Sequence, residues 1–128
     1  MPAWTNDELN KIGDAEELEL ASVRRDGTLR SPVTMWVVRD GDDIYVRSVN
    51  GRDSSWFRGA QARHEARIRA GGVDKDVSLV ETDANESVDA AYNAKYGRHY
   101  PTIAPSIVRP QARAATLKLE PRADDTPP

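Results

Sequence analysis

Apolar and polar positions change period several times along the chain, and each change marks an element. Thr5-Asn6-Asp7-Glu8 offers a helix N-cap followed by early acids, which predicts a short helix ending near Gly13. Glu17 to Arg25 has strand character and is closed by Asp26-Gly27, a strong turn signal. Thr28 to Arg39 then reads as one long strand, with Pro32 placing part of it at an edge or bulge. Its second half, Val33-Thr34-Met35-Trp36-Val37-Val38, is apolar on both faces, as expected when one face lines a core and the other meets a partner or ligand. Asp40-Gly41-Asp42-Asp43 turns the chain into a second strand, Ile44 to Ser48.

Asn50-Gly51 breaks that strand, and Asp53-Ser54-Ser55 can cap a helix running to about Arg63. Ala66 to Ala70 alternates with two Arg on one face, Gly71-Gly72 permits a bend, and Val73 to Glu81 alternates again. Asn85 or Asp83 caps a helix with the stripe Val88, Ala91, Tyr92, Lys95 and Tyr96, and Gly97 stands at its C-terminal position. Arg98 to Pro110 is a loop with three prolines, and Pro110 can start a helical turn. Ala115, Leu117 and Leu119 alternate as a last strand. About six strands with two or three short helices make a mainly β, α+β chain, either an antiparallel barrel or an α+β sheet. One domain over 1–121 fits the 128-residue length, and 122–128 reads as a disordered tail.

Composition narrows the chemistry. With no cysteine, disulfides, thiolate catalysis and Cys-ligated metal sites are excluded. Neither His64 nor His99 has a partner at ligand spacing, so no metal site is expected. No apolar run is long enough to span a membrane and no secretory pattern opens the sequence, so a cytoplasmic protein is expected. The net charge of −3 argues against a nucleic-acid partner. Charge is uneven, however. Asp7, Glu8, Asp14, Glu16, Glu17 and Glu19 crowd the first twenty residues, whereas Arg47, Arg52, Arg58, Arg63, Arg67 and Arg69 follow within 23 further along.

The sharpest candidate site is the strand-to-helix junction from Arg47 to Trp56. A helix start exposes unpaired backbone N–H groups and the positive end of its dipole, which suits an anion. Arg47, Arg52, Ser48, Asn50, Ser54 and Ser55 would add side-chain donors, and Trp56 a flat surface or a core anchor. The plainer alternative is a capped helix with Trp56 and Phe57 packed in the core. Trp36, Tyr92, Tyr96 and Arg98 form a possible substrate pocket, although two tyrosines one helical turn apart serve equally well as half-buried helix residues.

The stretch 32–39, the run Tyr45-Val46-Arg47-Ser48-Val49-Asn50-Gly51-Arg52, Trp56 and Ala70-Gly71-Gly72 resemble the pyridoxamine-phosphate-oxidase-like split barrels. The segments 90–98 and 112–119 look like a family of small bacterial proteins in that superfamily, so the resemblance covers roughly 18–121. A more distant similarity is to the deazaflavin-dependent nitroreductases. The resemblance implies a split β-barrel homodimer holding FMN or a deazaflavin coenzyme between subunits, with Arg47 and Ser48 facing its phosphate and Trp56 anchoring the next helix. Where the nitroreductases usually carry Pro-Ala-Trp-Tyr, this chain has Ser54-Ser55-Trp56-Phe57, which leaves the cofactor open. The function implied is a reductase or oxidase of a small organic molecule. The alternatives are a non-catalytic binder of a flavin or other phosphorylated ligand and a ligand-free dimeric interaction module.

Overall fold

The computed structural model describes residues 3–82 and 85–122. Seven strands form one antiparallel sheet: β1 (Leu18–Ser22), β2 (Val33–Met35), β3 (Val37–Asp40), β4 (Asp43–Arg47), β5 (Glu65–Ala70), β6 (Val73–Glu81) and β7 (Thr116–Pro121). Their spatial order is β2-β1-β5-β6-β7-β4-β3. The two outermost strands are separated in sequence by Trp36 alone. Residues 33–40 therefore run along one edge, bend at Trp36 and finish along the other, which brings the sheet round into a nearly closed barrel. The single long strand expected over 28–39 is in fact split. Val23 and Leu29 make an isolated bridge, exposed Pro32 precedes β2, and the bend at Trp36 separates β2 from β3.

Among the described residues four α-helices accompany the sheet, α1 (Asn6–Asp14), α2 (Ser55–Arg63), α3 (Asn85–Tyr96) and the short α4 (Pro110–Arg113), with 3-10 turns at Gly51–Asp53 and at Ala104–Val108, the latter inside the stretch expected as a loop. At the start of α1, Thr5 Oγ1 accepts from Glu8 N and Glu8 Oε1 accepts from Thr5 N, a reciprocal capping box. His64 closes α2 at φ 56°, its N–H donating to Ala60 O. The cap position assigned to Asp83 lies outside the described residues, as do 123–128 of the expected tail. Arg122, assigned to that tail, is attached: its N–H donates to Asp76 O and its guanidinium pairs with Glu65.

Two apolar clusters hold the molecule together. Leu18, Leu20, Ile44, Val46, Ile68 and Leu117 fill the barrel with Phe57 of α2 and Leu9 and Ile12 of α1. The second cluster lies outside the barrel wall, where Val38 and Tyr45 meet Val88, Tyr92 and Tyr96 of α3. The doubly apolar character of 33–38 is thus explained at Val37 and Val38, one in each cluster. On β5, buried Ala66, Ile68 and Ala70 alternate with exposed Arg67 and Arg69, which pair with Asp74 and Asp76 of β6.

Candidate functional site

The bend at Trp36 opens a cavity of about 340 Å³ beside it. β2 contributes Val33, Thr34 and Met35, the turn after β4 contributes Val49 and Asn50, and α2 contributes Trp56. Ile103, Ser106 and Ile107 of the segment after α3 close the remaining side, and Arg47 lies at the floor. The walls are mainly apolar, with two indoles and three neutral polar side chains. Val49 and Ile103 stay 44% and 59% exposed, which leaves the mouth greasy. Trp36 is held in place by Tyr96, whose ring stacks on it at 4.2 Å and 6°, and by Tyr100 at 5.2 Å.

Of the residues singled out in the sequence, Trp36, Arg47, Asn50 and Trp56 meet at this cavity. The others do not line it. Ser48 and Ser54 hydroxyls bond each other at 2.7 Å across the turn, so Ser54 leaves the first turn of α2 without a side-chain cap. Ser55 is exposed as the first residue of α2. Arg52 turns the other way, donating to Glu81 Oε1 at 2.6 Å and to Ala114 O at 3.1 Å. Its guanidinium holds the Glu81 carboxyl below the usual carboxylate range, against the opposing effect of partial burial. Gly51 makes this divergence possible. Its φ of +81° is a glycine conformation, and a Cβ there would stand 2.6 Å from Gln111 Cγ.

Tyr92 and Tyr96 are buried in the outer cluster and do not line the cavity, and Arg98 is exposed beyond α3. Tyr96 instead serves the bend: its hydroxyl accepts from Val37 N at 3.1 Å and lies 2.6 Å from Glu16 O and 3.0 Å from Val37 O as acceptors. Burial pushes its phenol up to about 12 and raises that of Tyr92 as well. Lys95 adds a strap, donating to Ala15 O at 2.5 Å and Val37 O at 2.6 Å. Burial brings its amine down to about 8 despite the opposing fields of Asp14 and Glu16. His99 lines a separate recess with Glu16, Lys95 and Tyr100.

Arg47 is the most constrained residue of the site. Its side chain is fully buried. Nε donates to Thr116 Oγ1 at 2.9 Å, Nη1 to Asp89 Oδ1 and to Ile107 O at 3.0 Å, and Nη2 to Asn85 O at 3.2 Å. The guanidinium also lies 5.5 Å from the centre of the Tyr92 ring. Asp89, the residue that neutralises it, carries a weak signal in sequence: it stands three residues before Tyr92, on the border of the α3 stripe. Thr34 and Val49 fall within the doubly apolar stretch and the Arg47–Trp56 junction, whereas Ile103 and Ser106 carry no signal, because nothing local ties the segment after α3 to this cavity.

A family model described as uncharacterized protein conserved in bacteria (DUF2255) matches residues 8–119. Among solved structures, the fold matches that of HutZ, the heme storage protein from Vibrio cholerae, with a TM-score of 0.60 at 16% identity over 97% of this chain and 93% of that one. It matches an F420 reductase with a TM-score of 0.58 at 20% identity, over 89% of this chain and 92% of that one. Campylobacter jejuni ChuZ matches with a TM-score of 0.61 at 16% identity, this chain spanning 52% of its length. All share the split-barrel fold. No curated protein matches the sequence.

Proposed function

Since the chain belongs to the DUF2255 family of bacterial split-barrel proteins, we propose that it is a cytoplasmic, homodimeric flavin-type protein, binding FMN or a deazaflavin in the cavity at Trp36 and acting as an oxidoreductase on a small organic molecule. The observation that carries this reading is the cavity itself: two indoles and aliphatic walls around three neutral polar groups. A planar heteroaromatic ring with a polar edge suits that donor set. Trp36 and Trp56 would contact the ring, and Thr34, Asn50 and Ser106 would meet its carbonyl and N–H groups. Among the described residues the lining apart from Arg47 is two indoles, aliphatic side chains and neutral polar groups, which suits a flavin ring. When bound, a flavin supplies hydride transfer, and the protein's part is to place it and exclude water. The greasy mouth at Val49 and Ile103 suits a second copy of the chain, and light scattering on the pure protein tests the dimer.

One observation favours a non-catalytic binder of the same ligand. Arg47 is the single ionisable side chain lining the cavity among the described residues, and its charge is taken by Asp89. No lining residue is then ready to deliver a proton to a substrate. Titration of the protein with FMN, riboflavin and a deazaflavin, followed by tryptophan fluorescence and visible spectra, tests both readings. Saturable quenching that Trp36→Ala abolishes supports the site, and no quenching or spectral change with any of them rejects it. Failure of nicotinamide nucleotides and of reduced deazaflavin to reduce the bound flavin selects the binder.

A further inference from the structure

Resting on the ring-binding reading of the cavity, we propose that Asp89 sets its ligand specificity. By occupying Arg47, it gives the cavity a neutral floor, so a bound ring meets that floor through an uncharged edge and any phosphate it carries is held elsewhere. The argument begins with donor arithmetic. A guanidinium has five N–H donors, and four of those of Arg47 are already committed. Bidentate recognition of a phosphate needs two parallel N–H groups. Only one remains, on Nη2.

The geometry also keeps the arrangement in place. Three of the four acceptors do not depend on the Asp89 side chain: the backbone carbonyls of Asn85, at the start of the same helix, and of Ile107, and the Thr116 hydroxyl, which itself donates to Arg113 O at 2.9 Å. Asp89 is shared further, with Oδ2 lying 3.2 Å from Arg113 Nε. The cluster of two arginines and one aspartate therefore carries one excess positive charge, and of the two arginines Arg113 is the one that reaches solvent. That residue is partly exposed and lines a different cavity with Arg52, Glu81 and Asn85. An anion drawn to Arg47 would have to compete with the Asp89 carboxylate already bonded to it and would be repelled by that carboxylate's charge.

Riboflavin and FMN differ by the phosphate alone, so the ratio of their affinities reads the charge available to it. In Asp89→Asn the shape is kept and the Arg47 charge is released. The FMN-to-riboflavin affinity ratio should then rise at least about tenfold over wild type, the scale of one charge-assisted hydrogen bond. Glu86→Gln removes one exposed carboxylate from the same helix and should leave the ratio unchanged. Arg47→Met combined with Asp89→Asn removes both charges together and should keep the wild-type ratio. Should Asp89→Asn alone not fold, as melting would show, wild type against the double variant decides. An unmoved ratio in folded Asp89→Asn overturns the proposal, as does a wild-type preference for FMN that the double variant abolishes. Wild type binding neither flavin overturns the ring-binding reading, and this inference with it. Binding of riboflavin with a ratio contrary to expectation overturns the inference alone.

Discussion

Removing one hydroxyl from Tyr96 should unsettle the seam of the barrel. Val37 follows the bend at Trp36, and its N–H donates to Tyr96 Oη at 3.1 Å. Val37 and Tyr96 are both essentially buried, so water cannot replace that partner. Tyr96→Phe keeps the ring that stacks on Trp36 and leaves a buried donor unpaired, a loss of about 1–3 kcal/mol. Val37 O keeps Lys95 as a donor, so the damage centres on the N–H. We expect about 2 kcal/mol, which lowers the urea midpoint by roughly 1 M at a slope of about 1–3 kcal/mol/M. Tyr92→Phe is the control on the same helix. Its ring is equally buried, but its hydroxyl makes only a 3.5 Å contact with Trp36 O, so it should cost under about 1 kcal/mol. Urea unfolding followed by circular dichroism measures both. Equal losses in the two variants, or a loss below about 0.5 kcal/mol for Tyr96→Phe, would refute the reasoning.

Gly71 and Gly72 both have positive φ, +56° and +87°, but a Cβ on Gly71 would stand 2.2 Å from Lys11 O whereas one on Gly72 meets nothing within 4 Å. Thermal melts should therefore rank Gly71→Ala well below Gly72→Ala, the latter costing only about 1–2 kcal/mol of backbone strain. Lys95 adds a pH dependence: with its amine near 8 in the fold against an ordinary 10.5, the unfolded chain binds more protons between those values. Its contribution to stability should rise with pH across that window, and Lys95→Met should lose the rise in pH-stepped urea titrations. Above pH 10 the sign reverses through Tyr96, because its phenol, held near 12, keeps a proton that the unfolded chain has lost; stability should fall from pH 10 to 12, and less steeply in Tyr96→Phe. Thr5→Ala removes half of the capping box and should cost about 1 kcal/mol by the same melts.

Where the pattern of the chain is local, the sequence foretold the structure. The Asp26-Gly27 and Asp40–Asp43 turns, the alternation of Arg67 and Arg69 with Ala66, Ile68 and Ala70, and the stripe of α3 all appear at the expected places. The bend at Trp36 did not, since Val33 to Val38 is uniformly strand-forming and the break arises from closing the barrel. The candidate site divides in the same way. Trp36, Asn50 and Trp56 were recognisable from turn chemistry and family resemblance, and they do share a cavity. Arg52 was misplaced because its partner, Glu81, is 29 residues away, and Asp89 was missed because it meets Arg47 across 42. Long-range ion pairs leave no periodicity.

The polar residues of the α3 stripe follow from that same bend. A strand that leaves one neighbour for another must leave backbone groups without a ladder, and buried groups of that kind need partners. Tyr96 accepts from the N–H of Val37, Lys95 donates to Val37 O, and the Tyr92 hydroxyl lies 3.5 Å from Trp36 O. Helical spacing of three and four residues puts all three side chains on one face, over one point of the barrel wall. Two of the residues that looked like a substrate pocket in sequence are thus what allows a pocket to exist on the other side of the strand. Tyr96 holds Trp36 by stacking on its ring and by bonding the backbone of Val37 beside it, with Tyr92 packed behind, and Trp36 is a wall of the cavity. Any ligand that presses on Trp36 presses on this seam, so binding at the cavity should protect Val37 N–H from hydrogen exchange. Exchange at Val37 that is the same with and without saturating flavin would separate the two.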